Sequence, residues 1–270
     1  MIRMRVNETG FFQEALRFIK YGSQFGWHER NAGNISFRLN HDEIEGIKVN
    51  FTDANEFVKL KEPISDMGGE YIFTTVSGSY FVDLDNAPES KFCICAISDN
   101  GDSYRVVWGG LKPTSEICGH LFSLSVLKKR GAGRAVYHCH PANTVALTYL
   151  LNCDDKTFSE ALWESETECA FVFPEGVGVV DFYVPGSFEL AKATSLKLHE
   201  YNAVIWSFHG LFATGESIGS AFGLAHAIEK AAEIRLKVIS SGRPIQNTIT
   251  KEQQSLSAMA FGYNLKEFDE

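Results

Sequence analysis

Residues 92–108 read FCICAISDNGDSYRVVW, and this stretch gives the clearest indication of the fold. Two apolar runs, 92–97 and 104–108, flank a polar segment that contains Asn100-Gly101. Asn-Gly favours the tight turns that join antiparallel strands, because both residues tolerate a positive φ angle. The stretch therefore predicts a β-hairpin and an antiparallel sheet. Cys93 and Cys95 alternate within the first run, and we interpret them as buried strand residues because no second cysteine pair stands at metal-ligand spacing.

Outward from the hairpin, alternating patterns predict further strands and periodic patterns predict helices. Predicted strands cover 35–39, 71–74, the run 134–136 with His138 and His140 at its end, and 203–207, and a further strand follows the loop 171–178. The first predicted helix is capped by Asn7 and runs to about Gly22 or Gly26, and another is capped by Thr114 or Ser115. Further predicted helices cover 143–151, 158–162, 187–200 and 217–240. Segment 40–70 is acidic and weakly periodic, so we interpret it as a long surface excursion. No linker divides the chain. The prediction is a single α/β domain over residues 1–270, with a mainly antiparallel central sheet covered by helices.

The composition fits a folded protein with a large core, since 44% of its 270 residues are hydrophobic and 13% are aromatic. The formal net charge of -9 argues against a nucleic-acid or anionic-membrane partner. The first residues lack the apolar core of a signal peptide, and no run of about eighteen apolar residues occurs. We therefore expect a cytoplasmic protein whose six cysteines are reduced.

His138 and His140 follow an apolar run and a glycine-bearing turn, so we expect them at the end of a strand. Residues two apart in a strand share one face, and two imidazoles on one face can bind one metal ion. His209, at the end of the predicted strand 203–207, can supply the third donor of a catalytic zinc site. The alternative is that these are unrelated histidines, one at a strand end and another satisfied in the core.

Three polar segments can bind an anion through backbone N–H groups and small polar side chains. They are the turn 27–34, the loop 75–79 and the helix start at Pro113–Glu116. A polar turn without a ligand is the alternative for the first of them. Glu116 can act as an acid or base near the metal, or it can be an acid favoured by the helix dipole. Glu229 and Glu233, each near a lysine, are interpreted as a solvated helix face.

Taken together, these segments resemble the class II aldolase/adducin family, and the likeness is closest to its bacterial rhamnulose-1-phosphate aldolase branch. The motifs match in order and spacing over nearly the whole chain. They are Glu29–Asn34, Ser77-Gly78, Pro113–Glu116, His138–His140, Trp163-Glu164, Thr167–Cys169, Phe173–Gly178, Val184–Gly186 and Phe208–Gly210. Two positions depart from the family's pattern, Ala32 in place of a glycine and Ser79 in place of a lysine.

The resemblance implies a nine-stranded, largely antiparallel sheet between helix layers and a homotetramer with its active sites in clefts between subunits. It implies one Zn²⁺ per subunit, held by His138, His140 and His209, with Glu116 as the catalytic acid and base. The positions that match the family's substrate phosphate site are Asn31, Gly33, Asn34, Ser77, Gly78, Thr114 and Ser115.

Glu168 precedes the apolar run 170–173. From the residues alone, it can be a structural ion-pair partner beside a buried strand. The resemblance implies instead a second catalytic residue that reaches the active site of a neighbouring subunit and bonds the hydroxyl derived from the aldehyde.

The activity implied by the resemblance is reversible cleavage of L-rhamnulose 1-phosphate to dihydroxyacetone phosphate and L-lactaldehyde, through an enediolate that zinc stabilises. Other activities on the same scaffold remain alternatives: a different sugar-phosphate aldolase, a 4-epimerase or a dehydratase. A non-catalytic, adducin-like interaction module is a further alternative. It is disfavoured because such a module has no need of three histidines together with Glu116.

Overall fold

The computed structural model describes residues 4–268, and a nine-stranded sheet forms its centre. The strands are β1 (Asn34–Arg38), β2 (Val58–Lys59), β3 (Tyr71–Thr75), β4 (Phe92–Ile97), β5 (Ser103–Gly109), β6 (Ala135–Cys139), β7 (Gly178–Val180), β8 (Ala203–Trp206) and β9 (Gly210–Gly215). Their order across the sheet is β2-β5-β4-β3-β1-β6-β9-β8-β7. Strands β7 and β8 pair in parallel, and the other neighbours in the described chain pair antiparallel. The predicted mainly antiparallel sheet is confirmed.

The hairpin of β4 and β5 forms as the sequence predicts. Gly101 has a φ angle of 70°, and its N–H donates to the Ser98 carbonyl oxygen over 2.8 Å. A Cβ atom at Gly101 would lie 2.2 Å from the carbonyl oxygen of Ile64, so this turn requires glycine for space as well as for φ. Cys93 and Cys95 are buried in β4, and all six cysteines lie in the described part of the chain and are free.

Helices cover both faces of the sheet. They are α1 (Gly10–Gln24), α2 (His41–Ile47), α3 (Ile117–Arg130), α4 (Ala142–Leu147), α5 (Asp155–Trp163), α6 (Cys169–Val172), α7 (Phe188–Lys197), α8 (Ile218–Ser240) and α9 (Lys251–Phe261). Short 3-10 helices cover Val6–Glu8, Lys48–Asn50, Ser65–Met67, Phe81–Asp83 and Pro88–Lys91. The sequence analysis did not predict α9. None of the helices between residues 4 and 268 has the length and apolarity needed to cross a bilayer.

Two apolar clusters lie on opposite faces of the sheet, as the two-residue period of strands requires. Phe73 of β3 belongs to the cluster that contains α1, α5 and α8, whereas its neighbour Ile72 belongs to the cluster that contains α3 and α7. In β6, Tyr137 faces the first cluster and Val136 the second. His138 therefore lies on the same side of the sheet as α3, which begins directly after Glu116.

Two predicted helix caps are wrong by a few residues. Thr9, not Asn7, caps α1, and its Oγ1 accepts a hydrogen bond from the Phe12 N–H over 3.4 Å. At α3 the N-cap residue is Glu116 itself, while Thr114 Oγ1 accepts a hydrogen bond from the Glu116 N–H over 3.3 Å. Glu116 is therefore a flanking residue whose side chain is free to turn away from the helix.

Segment 40–70 is more than a surface excursion, because it contains α2 and the edge strand β2. Ile47, Ile64 and Met67 are buried, so this segment also contributes to the core. The run 170–173 is likewise not a buried strand: residues 169–172 form the short helix α6, and Phe171 is exposed. An apolar run of four residues does not distinguish a strand from a helical turn.

Glu229 does not belong to a solvated face. It is buried in α8, and its carboxylate accepts hydrogen bonds from the backbone N–H and the side chain of both Asn143 and Thr144, over 2.7 to 3.0 Å. A carboxylate in this position satisfies the free N–H groups at the start of α4. Glu233 fits the prediction, since it pairs with Lys230 and Lys237 on an exposed surface.

Candidate metal and anion site

Three histidines come together where β6 and β8 end and β9 begins. His138 is in β6, His140 directly follows that strand, and His209 lies in the turn between β8 and β9. The centroids of the three rings are 5.0 to 5.1 Å apart, and one ligand atom from each ring lies within 4.8 Å of the others. The antiparallel pairing of β6 with β9 produces this arrangement. It sets Cys139 opposite Leu211, so the end of β6 lies beside the start of β9.

Hydrogen bonds orient two of these rings. His138 Nδ1 donates to the Leu211 carbonyl oxygen over 3.0 Å, and His140 Nδ1 donates to Glu29 Oε1 over 2.6 Å. With the proton on Nδ1, each ring presents its Nε2 lone pair toward the centre of the group. The buried Nδ1 of His209 finds no hydrogen-bond partner among residues 4–268.

The protonation states of the histidines also suit metal binding. Burial lowers the pKa of His138 well below its usual value, and burial lowers the pKa of His209 to about 4. Both rings are therefore neutral at pH 7, as metal ligands must be. Neutral imidazoles with two oriented Nε2 atoms and one unpartnered buried nitrogen fit a divalent cation such as zinc.

Gly210 allows the three rings to approach one another. A Cβ atom at this position would lie 2.5 Å from the Cys139 carbonyl oxygen and 2.9 Å from Cδ2 of His140. It would also lie 3.1 Å from Cε1 of His138. Only glycine therefore fits after His209, because the rings of His138 and His140 and the neighbouring backbone leave no space for a Cβ atom.

Glu116 lies beside this group and is buried, with an exposed fraction of 7%. Its Oε2 is 3.6 Å from His138 Nε2, and it accepts a hydrogen bond from Asn34 Nδ2 over 2.8 Å. Burial raises the pKa of Glu116, and the hydrogen bond from Asn34 partly opposes this increase. Because His138 is neutral, the two side chains do not form an ion pair.

A small cavity of about 50 Å³ is lined by Thr114 and Ser115, the two residues that directly precede Glu116. Its lining includes each of the positions for which the sequence predicts phosphate binding: Asn31, Gly33, Asn34, Ser77, Gly78, Thr114 and Ser115. Ser79, one of the departures from the family's pattern, also lines it and is buried. The structure therefore brings three separate loops to one polar pocket, while their role in binding a phosphate stays a prediction.

The structure does not bring Glu168 to this site within one chain. Glu168 is exposed at the N-cap of α6 and lines a different cavity of about 770 Å³, together with Arg130 and His226. Within residues 4–268 its side chain makes no ion pair, so the structural interpretation of Glu168 gains no support. Its action across a subunit interface stays a prediction.

His28 and Glu29 lie in the turn 27–34 for which the sequence predicts anion binding, but their contacts with Tyr137 and His140 were not predicted. His28 is buried, and its Nδ1 donates to the Ala32 carbonyl oxygen over 3.2 Å. Its Nε2 accepts from the hydroxyl of Tyr137 over 2.7 Å, and burial lowers the pKa of His28 to about 3. This ring ties the turn before β1 to the strand that carries His138. No spacing rule links such distant positions, so no signal in the sequence identifies them.

A sequence profile described as "Class II Aldolase and Adducin N-terminal domain" matches residues 13–236. The chain belongs to this family. The rhamnulose-1-phosphate aldolase of Mannheimia succiniciproducens is a family relative 39% identical over 242 residues, covering 88% of this chain and 89% of the relative. Another of that name, from Yersinia pestis, is 36% identical and covers 87% of this chain and 88% of the relative.

Solved structures agree with the family's fold. A sugar-phosphate aldolase from Thermotoga maritima superposes with a TM-score of 0.70 at 31% identity, covering 86% of this chain and 96% of that one. An L-fuculose 1-phosphate aldolase superposes with a TM-score of 0.63 over 95% of this chain and 98% of that one, and at 20% identity it supports the fold alone. The resemblance inferred from the motifs is confirmed.

Proposed function

We propose that the protein is a zinc-dependent aldolase that reversibly cleaves L-rhamnulose 1-phosphate to dihydroxyacetone phosphate and L-lactaldehyde. The observation that carries the proposal is the position of Glu116, which is 3.6 Å from a candidate metal ligand and bonds to Asn34, a residue that lines a polar cavity. The aldol cleavage of a phosphorylated ketose needs a metal site, a residue that transfers a proton and a pocket for the phosphate. The two relatives named for this activity support the choice of sugar.

The phosphate is proposed to bind in the small cavity. Thr114 and Ser115 precede α3, whose first N–H groups favour a negative charge, and the left-handed Gly33 and Gly78 let the backbone come close to an oxyanion. Asn31 and Ser77 add side-chain donors at the cavity wall. A phosphate held there fixes the position of the neighbouring carbons relative to Glu116.

The metal is proposed to be one Zn²⁺ per subunit, bound by His138, His140 and His209. When bound, the cation acts as a Lewis acid that polarises the substrate carbonyl group and stabilises negative charge on its oxygen. The chain's own part is to hold the three imidazoles in place. The bonds of His138 to Leu211 and of His140 to Glu29 do this for two of the rings.

Glu116 is proposed to transfer the proton at C3. After the C3–C4 bond breaks, the protonated carboxyl group donates its proton to C3 of the dihydroxyacetone phosphate half. In the direction of synthesis, the carboxylate removes a proton from the same carbon. The raised pKa of Glu116 favours this role, because it brings the protonated and ionised forms closer in free energy near neutral pH.

Glu168 is proposed to act from a neighbouring subunit of a homotetramer, where it accepts the proton of the C4 hydroxyl group during cleavage. Its exposed position away from the three histidines of its own chain supports an action across an interface. We further propose a cytoplasmic location, because a phosphorylated sugar is too polar to cross a membrane unaided.

The experiment that tests the function supplies the purified zinc-loaded protein with rhamnulose 1-phosphate, fuculose 1-phosphate and ribulose 1-phosphate, and measures triose phosphate. We expect rhamnulose 1-phosphate to give the highest kcat/KM. A higher value for fuculose 1-phosphate or ribulose 1-phosphate would assign a different aldolase substrate. If no triose phosphate forms from any of the three, the proposed aldolase activity is wrong.

A further inference from the structure

We propose that His120 is a positioning residue for the aldol reaction: through Asn34, it holds the Glu116 carboxylate in the orientation that proton transfer at C3 requires. The inference rests on the proposed function of Glu116. His120 is not one of the three histidines of the candidate metal site, and it does not line the proposed phosphate cavity.

The inference is based on a series of connected hydrogen bonds inside the core. His120 is in the first turn of α3, where its backbone N–H donates to the Glu116 carbonyl oxygen over 3.1 Å, and its side chain has no exposed surface. Its Nε2 bonds to Asn34 Oδ1, and Asn34 Nδ2 donates to Glu116 Oε2 over 2.8 Å. The side chains of His120, Asn34 and Glu116 thus form one continuous connection between α3 and β1.

The hydrogen-bonding capacity of the three side chains determines which atoms donate and which accept. An ionised carboxylate only accepts hydrogen bonds, so Asn34 must present its NH₂ group to Glu116 and its carbonyl oxygen to His120. His120 must then carry its proton on Nε2. Burial lowers the pKa of His120 to about 3, so the ring is neutral at pH 7 and holds this single proton.

The Nε2–H group of His120 prevents a flip of the Asn34 amide. If Asn34 turned by 180°, its oxygen would face the Glu116 carboxylate and its NH₂ group would face the Nε2–H group of His120. Both contacts would then be repulsive. The donor on His120 thus reinforces the amide orientation in which Glu116 is held, and a side chain without a donor would leave that orientation to the contact with Glu116 alone.

Packing alone does not explain a histidine at this position. The Nδ1 atom of His120 is buried and has no hydrogen-bond partner among residues 4–268. An unpaired buried acceptor destabilises the fold, so an aromatic hydrocarbon ring would be less costly here. The edge-to-face contact of His120 with Phe212, with centroids 5.3 Å apart, is one that phenylalanine can also make.

The test compares His120→Phe, which keeps an aromatic ring but loses the donor, with His120→Gln, whose side-chain amide places an N–H near the position of Nε2. We expect His120→Phe to lower kcat by roughly 10- to 100-fold, the scale of a misplaced catalytic group. KM should rise less than kcat falls, because Asn34 is only one of the residues proposed to bind the phosphate, and bound zinc should be unchanged, because the metal ligands are intact. His120→Gln should recover most of the lost kcat.

A double-variant cycle separates positioning from general damage to α3. In an Asn34→Ala background, His120→Phe should have little further effect, because the connection is already broken. Ser123→Ala, a substitution at another fully buried polar residue of α3, should leave kcat unchanged. If the effects of His120→Phe and Asn34→Ala simply multiply, or if His120→Gln is as slow as His120→Phe, the proposal is wrong.

A measurement independent of turnover distinguishes failure of this proposal from failure of the aldolase assignment. Nitrogen NMR of the imidazole in the wild-type protein at pH 7 should show His120 with its proton on Nε2. A proton on Nδ1 overturns the connection to Asn34, whatever the enzyme's activity. If the wild-type protein cleaves none of the tested sugar phosphates, the aldolase assignment fails, while the NMR result still decides whether His120 orients Asn34.

Discussion

His138 Nε2 lies 3.6 Å from Glu116 Oε2, although His138 carries no positive charge that would attract the carboxylate. Burial keeps His138 neutral and raises the pKa of Glu116, so the contact is not an ion pair. The pair instead places a nitrogen of the candidate metal site and the oxygen that we propose transfers a proton on the same side of the sheet. A substrate bound at the candidate metal position therefore lies within reach of Glu116.

The first prediction concerns Glu29, which accepts a hydrogen bond from His140 Nδ1 over 2.6 Å. Glu29→Gln should weaken zinc binding by about 10-fold. This value is at the lower end of the range for hydrogen-bond partners of metal-binding histidines, because the Glu29 side chain is 62% exposed. Competition with a chelator measures the affinity. Glu56→Gln, at an exposed acid outside the site, is the control and should bind zinc as the wild type does. Equal affinity in all three proteins would exclude Glu29 from the site.

The second prediction compares two left-handed glycines. Gly33 and Gly78 have φ angles of 76° and 77°, but only a Cβ atom at Gly33 would collide with its surroundings, 2.3 Å from His28 Nδ1 and 2.8 Å from the His138 carbonyl oxygen. Gly78→Ala should lower the free energy of unfolding by roughly 1–2 kcal/mol, the cost of the backbone conformation alone.

Gly33→Ala should lower the free energy of unfolding by clearly more, because the collision adds to the same backbone strain. Denaturant unfolding of both variants and the wild type measures the difference. Equal losses in the two variants would contradict the close contact of Gly33 with His28 and His138.

The third prediction concerns Glu229, whose carboxylate accepts hydrogen bonds from Asn143 and Thr144 at the start of α4. Glu229→Ala should lower the free energy of unfolding by roughly 2–4 kcal/mol, because it leaves buried donors unpaired. Glu233→Ala, on the exposed side of the same helix, should change it far less, because solvent screens exposed ion pairs. Denaturant unfolding distinguishes the two, and a reversed order would contradict the burial of Glu229.

The fourth prediction concerns the neighbouring subunit. Glu116→Ala and Glu168→Ala should each be inactive in cleavage, but Glu168→Ala should keep more of the exchange of the C3 proton of dihydroxyacetone phosphate, which involves no aldehyde. Mixing the two variants under conditions that allow subunit exchange should restore some cleavage, since in the proposed homotetramer some mixed assemblies then contain one intact cleft. Demonstrated exchange without restored activity would mean that Glu168 does not act across an interface.

Local patterns in the sequence were sufficient to predict the hairpin of β4 and β5, the helices α7 and α8, and the position of His138 and His140 at a strand end. Local patterns failed where tertiary contacts decide. Glu229 follows the charge spacing of an exposed helix, yet the start of α4 packs against it and buries it. The bonds of His140 to Glu29 and of His120 to Asn34 join positions far apart in the chain, and no periodicity identifies such pairs.

The most direct test of the account measures exchange of the C3 proton of dihydroxyacetone phosphate, together with bound zinc, in Glu116→Gln and in the wild type. The amide keeps the size of the side chain but cannot carry the proton. We predict full zinc content and an exchange rate lower by roughly two to four orders of magnitude. Unimpaired exchange in a zinc-loaded Glu116→Gln variant would contradict the central claim that Glu116 moves this proton.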